Sequence, residues 1–271
     1  MGNKISMASN LLNRNPLLKA AAYDLGIQWI AFGFAYALKT EKFYDLVGSS
    51  TFLGLTWLTL NWGRKGHLPF FNRQIIQNSC VTLWAARLGT YLFSRVMESG
   101  EDRRFRKAKN SFSHFLLFWT MQGLWVWITL LPTMILNFKQ EDKELNYRDY
   151  LGFAIFATGF LVEATADYQK SKFRSDPANK DKFVNTGLWS ISRHPNYLGE
   201  ILIWSGLFLP ASNVMEGNEF YSALSPFFVT FLLTKVSGIP LLERYADKKW
   251  GALAEYQSYK QRTAKLFPFI W

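Results

Sequence analysis

The sequence predicts an all-α protein, a polytopic bundle of about seven transmembrane helices with a cytosolic amphipathic C-terminal helix. Composition, the length of the apolar stretches and the placement of charge predict it together. Of 271 residues, 49% are hydrophobic and 17% aromatic, while only 19% are charged, below the roughly 25% of a soluble domain. That content excludes a disordered chain. A single cysteine, Cys80, excludes a disulfide-stapled module, and its apolar setting makes it an inert core thiol. The net charge of +11 suits either nucleic acid or an anionic membrane surface. The charges cluster between long apolar stretches, which decides for the membrane. Mean hydropathy close to zero does not oppose this, because such scales undercount Trp and Tyr, which favour membrane interfaces.

A bilayer crossing takes about 20 mostly apolar residues. The expected spans are 20–38, 46–62, 75–97, 112–136, 150–166, 197–211 and 220–239, the third and sixth interrupted by polar residues. No cleavable signal peptide, repeat, low-complexity tract or Gly/Ser linker is evident, so residues 1–271 read as one integral membrane domain. Lys and Arg number 19 in the loops 39–45, 98–111 and 167–194 and the tail after Pro240. The other side, namely the N-terminal tail and the loops 63–74, 137–149 and 212–219, holds 9. This asymmetry places the C-terminus in the cytosol. One signal opposes it: Met1-Gly2-Asn3-Lys4-Ile5-Ser6 fits the N-myristoylation pattern, which requires a cytosolic N-terminus. That pattern is short, and the charge count outranks it.

Charges at membrane depth cost at least about 2.5 kcal/mol at a helix centre, and so they mark function. Asp24, Arg95 and Lys235 lie near span ends, where they snorkel to the interface. Arg87 lies mid-span, with Trp84 at i−3 and Tyr91 at i+4 on the same helix face. Glu163, Asp167, Lys170 and Arg174 line one side of a helix, a pattern that taken alone favours a solvated helix end with internal salt bridges. Pro195 suits the first turn of the sixth span. The free N–H groups there, beside Arg193, Lys182 and Arg174, form an anion site fit for a phosphate or pyrophosphate. Arg193, Tyr197 and Glu200 form a second aligned face, and Gly199 admits another backbone or a flat ligand. Two charged faces converging on one helix start favour a ligand site over a structural network.

After the last span, Leu242-Glu243-Arg244-Tyr245 leads through Lys248, Lys249 and Trp250 to Tyr256 and Tyr259, an amphipathic helix pair ended by Pro268. It reads as an interfacial element or as a lid over the anion site. His67, His114 and His194 are too scattered to hold a metal. No nucleic-acid reading motif is present, and no G-x-G-x-x-G follows a strand.

From Asp167-Tyr168-Gln169-Lys170-x-x-Phe173-Arg174 and Gly187-Leu188-Trp189-Ser190-x-Ser192-Arg193-His194-Pro195-Asn196-Tyr197-Leu198-Gly199-Glu200, the chain resembles the membrane family sharing the steroid 5-alpha-reductase C-terminal domain. Trp84-x-x-Arg87-Leu88-Gly89, Glu101-Asp102-x-Arg104 and Gly238-Ile239-Pro240-Leu241-Leu242-Glu243 match as well, giving a reductase-like region over 73–268. The resemblance implies a helical bundle, set in the endoplasmic reticulum, that takes NADPH from the cytosol. It implies reduction of a carbon–carbon double bond in a membrane-embedded lipid of sterol, steroid or fatty-acyl type.

With the aligned faces above, the expected cofactor-binding residues are Asp167, Lys170, Arg174, Lys182, Arg193, His194, Asn196, Tyr197 and Glu243, mainly within 163–200. Glu200 and Tyr91 are the expected proton donors, burial raising a glutamate's pKa towards usefulness, and Trp84 and Arg87 the substrate contacts. Trp84 stands where the steroid enzymes carry their catalytic tyrosine, and Glu163 where they carry an amide, so steroid 5-alpha reduction itself is not expected.

Two rivals stand beside this reading. Arg193–Gly199, Glu243 and Gly251–Tyr259 also loosely resemble the isoprenylcysteine-type membrane methyltransferases, which implies S-adenosylmethionine. Lys170, Arg174, Lys182 and Arg193 favour a more highly charged cofactor, and Glu243 is followed by Arg244 where those enzymes pair two glutamates. Trp84 supports the other rival, a non-catalytic lipid-binding or scaffolding member of the fold.

Overall fold

Helices occupy each expected span. In the computed structural model, which describes residues 15–64 and 69–268, α1 covers Pro16–Ala37. Its start is fixed by Pro16 in the first turn and by the Asn15 side chain, which accepts from the amides of Leu17 and Leu18 at 3.2 Å. Next come α2 (Tyr44–Gly63), α3 (Asn72–Ser99) and α4 (Phe112–Phe138). Helix α5 (Tyr147–Ser175) opens on a capping box in which Asn146 accepts from Arg148 and Asp149 accepts from Asn146. Then follow α6 (Pro195–Ser212) and α7 (Leu224–Phe231), the latter continued by a π turn over Leu232–Val236. The expected amphipathic pair is α8 (Ile239–Trp250) and α9 (Ala254–Arg262). No strand occurs among the described residues, and the all-α class is met. The myristoylation pattern at Gly2 and Ser6, and His67, lie outside the described residues.

Two of the helical stretches, Phe112–Phe138 and Gly217–Trp250, are long and apolar enough to cross a membrane. The chain packs as two compact units. The first takes the described residues up to Leu145 together with Ala211–Ser222, and the second takes Asn146–Pro210 and the residues from Ala223 onward.

In the first unit α2 packs against α3 and α4, and α1 against α4. Phe32, Tyr44, Phe105, Phe115 and Trp119 form an aromatic core. Beside it the interior is polar. Gln122 donates to the Gln28 side chain at 2.9 Å, and Gln28 donates to Thr51 and to Asp24, which is fully buried and not turned to the interface as expected. Asn137 links Asn78, Thr59 and the Thr56 carbonyl. Gln28 is fully buried while Ile30, two residues on, is 66% exposed, as are Phe34 on the same helix and Leu38 just past its end in similar degree. The arrangement inverts that of a soluble core, where polar side chains face out. It suits helices joined by polar contacts within an apolar surrounding.

In the second unit α5 and α6 run antiparallel in backbone contact. A Cβ on Gly199 would stand 2.6 Å from the Gly159 carbonyl oxygen, and a Cβ on Gly206 would stand 2.7 Å from that of Gly152. Between the two helices, Gly187 takes φ +61°, with the Gln169 amide packed where a side chain would lie. Gln169 in turn accepts from the Leu188 amide at 2.9 Å. This turn sets Trp189 inward, its indole donating to the Ala166 carbonyl.

Candidate functional site

The residues just before and at the start of α6 are held from two directions, by α5 and by the C-terminal pair. On the C-terminal side, the Tyr259 hydroxyl donates to the Trp189 carbonyl and the Ser192 hydroxyl to the Leu266 carbonyl, both at 2.7 Å, and the Arg193 amide donates to Ala264. The C-terminal segment is thus clasped to Trp189–Arg193.

Arg193 differs from its expectation. It precedes the helix and does not share a face with Tyr197 and Glu200. Its guanidinium makes four hydrogen bonds within the protein, two to the Glu243 carboxylate at 3.2 and 3.1 Å and two to the carbonyls of Lys260 and Thr263. Arg174 and Lys182 are exposed. These three cations do not form the expected common grip on one anion, because Arg193 is spent on Glu243.

His194 is buried and its Nε2 lies 2.9 Å from Glu243 Oε1. Its ring stacks on Tyr197, centroids 5.9 Å apart and planes at 11°. Burial pushes the imidazole below its ordinary value against the pull of Glu243, and the positive charges of Lys170 and Arg193 push the same way. Burial alone would raise Glu243, but the His194 hydrogen bond and the Arg193 guanidinium outweigh it and hold the carboxyl down at about 2. On the α5 side, the Asn196 amide donates to Asp167 at 3.3 Å. Lys170 Nζ lies 4.7 Å over the Trp189 ring. Burial falls along α5 from Glu163 and Asp167 to half-buried Lys170 and exposed Arg174. One turn into α6, buried Glu200 accepts from the Trp204 indole at 2.9 Å.

Asp167, Lys170, Arg193, His194, Asn196, Tyr197 and Glu243 thus form one neighbourhood in the second unit. Trp84, Arg87 and Tyr91 belong to the first unit, on α3. Trp84 is a core residue there, edge-on to Phe52 at 4.8 Å; Arg87 and Tyr91 are half-buried. Sequence reasoning missed Trp189 as the partner of Lys170 and Trp204 as the partner of Glu200. The second was available from the spacing of four residues on one helix face. No group of His, Cys, Asp and Glu able to hold a metal occurs among the described residues.

The depressed Glu243 sets an acid sensitivity. A carboxyl held lower in the folded chain than its usual 4.5 contributes stability that is complete above pH 4.5 and is lost as pH falls towards about 2. Glu243→Gln should lower Tm at pH 7 in detergent and flatten its decline below pH 4.5; a decline of unchanged steepness would remove Glu243 as its source.

Several curated proteins are distantly similar. A 98-residue stretch, 36% of this chain, is 32% identical to a probable O-methyltransferase of Ustilaginoidea virens and covers 32% of that protein. Over 227 residues, 79% of this chain, it is 25% identical to a Delta(14)-sterol reductase of Candida albicans and covers 47% of it. Over 135 residues, 44% of this chain, it is 27% identical to a probable 7-dehydrocholesterol reductase of Acanthamoeba polyphaga mimivirus and covers 28% of it. The chain thus spans less than half the length of each of these three relatives. No solved structure matches it. Residues 31–263, which include the whole neighbourhood around the start of α6, match the family described as protein of unknown function (DUF1295), and the chain belongs to that family.

Proposed function

We propose that the protein is a multi-pass membrane reductase that uses NADPH to reduce a carbon–carbon double bond in a sterol, steroid or fatty-acyl lipid of the endoplasmic reticulum membrane. The observation that carries this reading is the buried polar neighbourhood at the start of α6, in a chain whose distant relatives include sterol reductases. Its residues fit such a cofactor. His194 Nδ1 and Asn196 Oδ1 are buried acceptors without a hydrogen-bond partner among the described residues, and Lys170 lies beside them. When bound, NADPH supplies the hydride. Glu200, which accepts from the Trp204 indole, is the proposed proton donor of the second unit. Tyr91 as donor, and Trp84 and Arg87 as substrate contacts, are proposed from the resemblance alone.

Seven crossings with a cytosolic C-terminus are part of the same proposal. The inverted burial of the first unit supports them: helices with polar inner faces average to a low hydropathy even when their outer faces are as apolar as those of α1.

A second reading, an S-adenosylmethionine-dependent methyltransferase, is favoured by the 32% identity to the probable O-methyltransferase and by the engagement of Arg193 with Glu243. Thermal unfolding in detergent separates the two. Ligand at 100 times its Kd adds about 2.7 kcal/mol, on the order of 5–10 °C for a chain of this size. NADPH is expected to give that shift, and Asn196→Ala to abolish it. A shift with S-adenosylmethionine alone would install the methyltransferase reading, and no shift with either would leave a non-catalytic member of the fold.

A further inference from the structure

We infer that the buried end of this site is built to receive a neutral hydrogen-bond donor, an amide, amine or hydroxyl group, and to turn phosphate away. The inference rests on the cofactor reading above and assigns which end of the ligand goes in.

The protonation pattern follows from the partners. A carboxylate offers no proton, so the 2.9 Å contact between His194 Nε2 and Glu243 Oε1 places the hydrogen on Nε2. A neutral imidazole with Nε2–H presents Nδ1 as an acceptor, and burial beside Lys170 and Arg193 keeps the ring neutral. His194 is 4% exposed, and Nδ1 has no hydrogen-bond partner among the described residues. Glu243 is itself fixed by Arg193, so the tautomer is set by a chain of contacts that begins in the C-terminal clasp.

Asn196 repeats the logic two residues on. Its Nδ2 donates to Asp167, which fixes the amide so that Oδ1, also buried and without a partner among the described residues, is the free acceptor. Two buried acceptors at one helix start want N–H or O–H groups. A phosphate oxygen would meet them lone pair to lone pair. Arg193, next in the chain, is already committed to Glu243 and to the Lys260 carbonyl, and the Lys170 ammonium lies over the Trp189 ring. The phosphates of a dinucleotide are left to exposed Arg174 and Lys182, and a carboxamide, exocyclic amine or ribose hydroxyl goes to the His194 and Asn196 acceptors, where Tyr197 stacks on the His194 ring.

The test uses the full chain in detergent, labelled with ¹⁵N-histidine, the His194 signals being identified by their loss in His194→Gln. In the free protein Nδ1 should appear unprotonated and Nε2 protonated. Saturating NADPH should move the Nδ1 resonance in the direction of an accepted hydrogen bond with Nε2 unchanged, while inorganic pyrophosphate leaves both in place. In parallel, His194→Leu should weaken NADPH binding at least tenfold, and His194→Asn, which retains an acceptor near the Nδ1 position, less. NADPH that raises Tm without moving Nδ1, or pyrophosphate that does move it, overturns the inference while leaving the reductase reading intact. Absence of any NADPH effect on Tm removes the reductase reading instead. The same Nδ1 signal with S-adenosylmethionine then decides the inference, movement upholding it and stillness overturning it.

Discussion

Replacing Gly199 with leucine is expected to separate α5 from α6 and to destroy the folded second unit. A Cβ at 199 would stand 2.6 Å from the Gly159 carbonyl oxygen and 2.7 Å from the Glu163 amide nitrogen, both backbone atoms that cannot rotate away. The contact is reciprocal, since a Cβ at Gly159 would meet the Gly199 carbonyl at 2.7 Å. Seven residues along each helix, about two turns, Gly152 and Gly206 repeat the pairing. Small residues at such crossings let backbones approach, which is how helices gain packing where apolar burial offers little drive. One methyl group forced into a filled contact costs about 1–3 kcal/mol; leucine adds three further carbons to the same place. Gly33→Ala is the control. Nothing lies within 4 Å of its added Cβ, and alanine exceeds glycine in helix propensity by about 1 kcal/mol. Thermal unfolding in detergent should therefore rank Gly33→Ala at or above the parent, Gly199→Ala below it, and Gly199→Leu without a cooperative transition. A parent-like Tm for Gly199→Leu would mean that the two helices do not touch at this point. Asn196 and Glu200 flank the glycine, so any stabilisation by NADPH should disappear with the fold.

The positions of the helices were readable because apolar length and proline placement are local properties. Pro195 marks the start of α6, whereas the row Glu163, Asp167 and Lys170, spaced by four and three residues, suited a solvated helix end and yet buries Glu163 and Asp167. Gly199 was readable as a point of close approach, but whether a ligand or a backbone fills it depends on α5, and the signal lay in the matching seven-residue spacing of Gly152 and Gly159. Arg193 was misread for a related reason. Its charge and its place beside a helix start suit an anion, and its actual partner, Glu243, lies 50 residues away on α8. No periodicity within either segment reports that meeting. Hydropathy failed in the opposite sense. Averaging along α1 mixes buried Asp24 and Gln28 with exposed Ile30 and Phe34, so the sum conceals two faces of opposite character.

Arg193→Leu carries the other large effect, and it reaches the site without touching a ligand. The Arg193 side chain is 11% exposed and that of Glu243 15%, so their attraction is little screened by water. Removing the arginine leaves the Glu243 carboxylate with only His194 and the Lys260 ammonium 3.9 Å away, and takes the donor from the carbonyls of Lys260 and Thr263. Breaking one side of a buried ion pair costs about 3–5 kcal/mol. Lysine should not restore it, because one ammonium cannot span both carboxylate oxygens and two carbonyls as the planar fork does. Glu243→Gln in the Arg193→Leu background should recover part of the loss by removing a charge that has lost its main partner, giving a double-mutant coupling well above the few tenths of a kcal/mol of independent sites. Strict additivity of the two changes, measured by denaturation in detergent, would show that the pair is not a stabilising clasp. Because Glu243 also holds His194 Nε2, the double variant should fold better than Arg193→Leu and still bind NADPH more weakly than the parent. Recovered stability without recovered binding is what separates a residue that orients the site from one that only supports the fold.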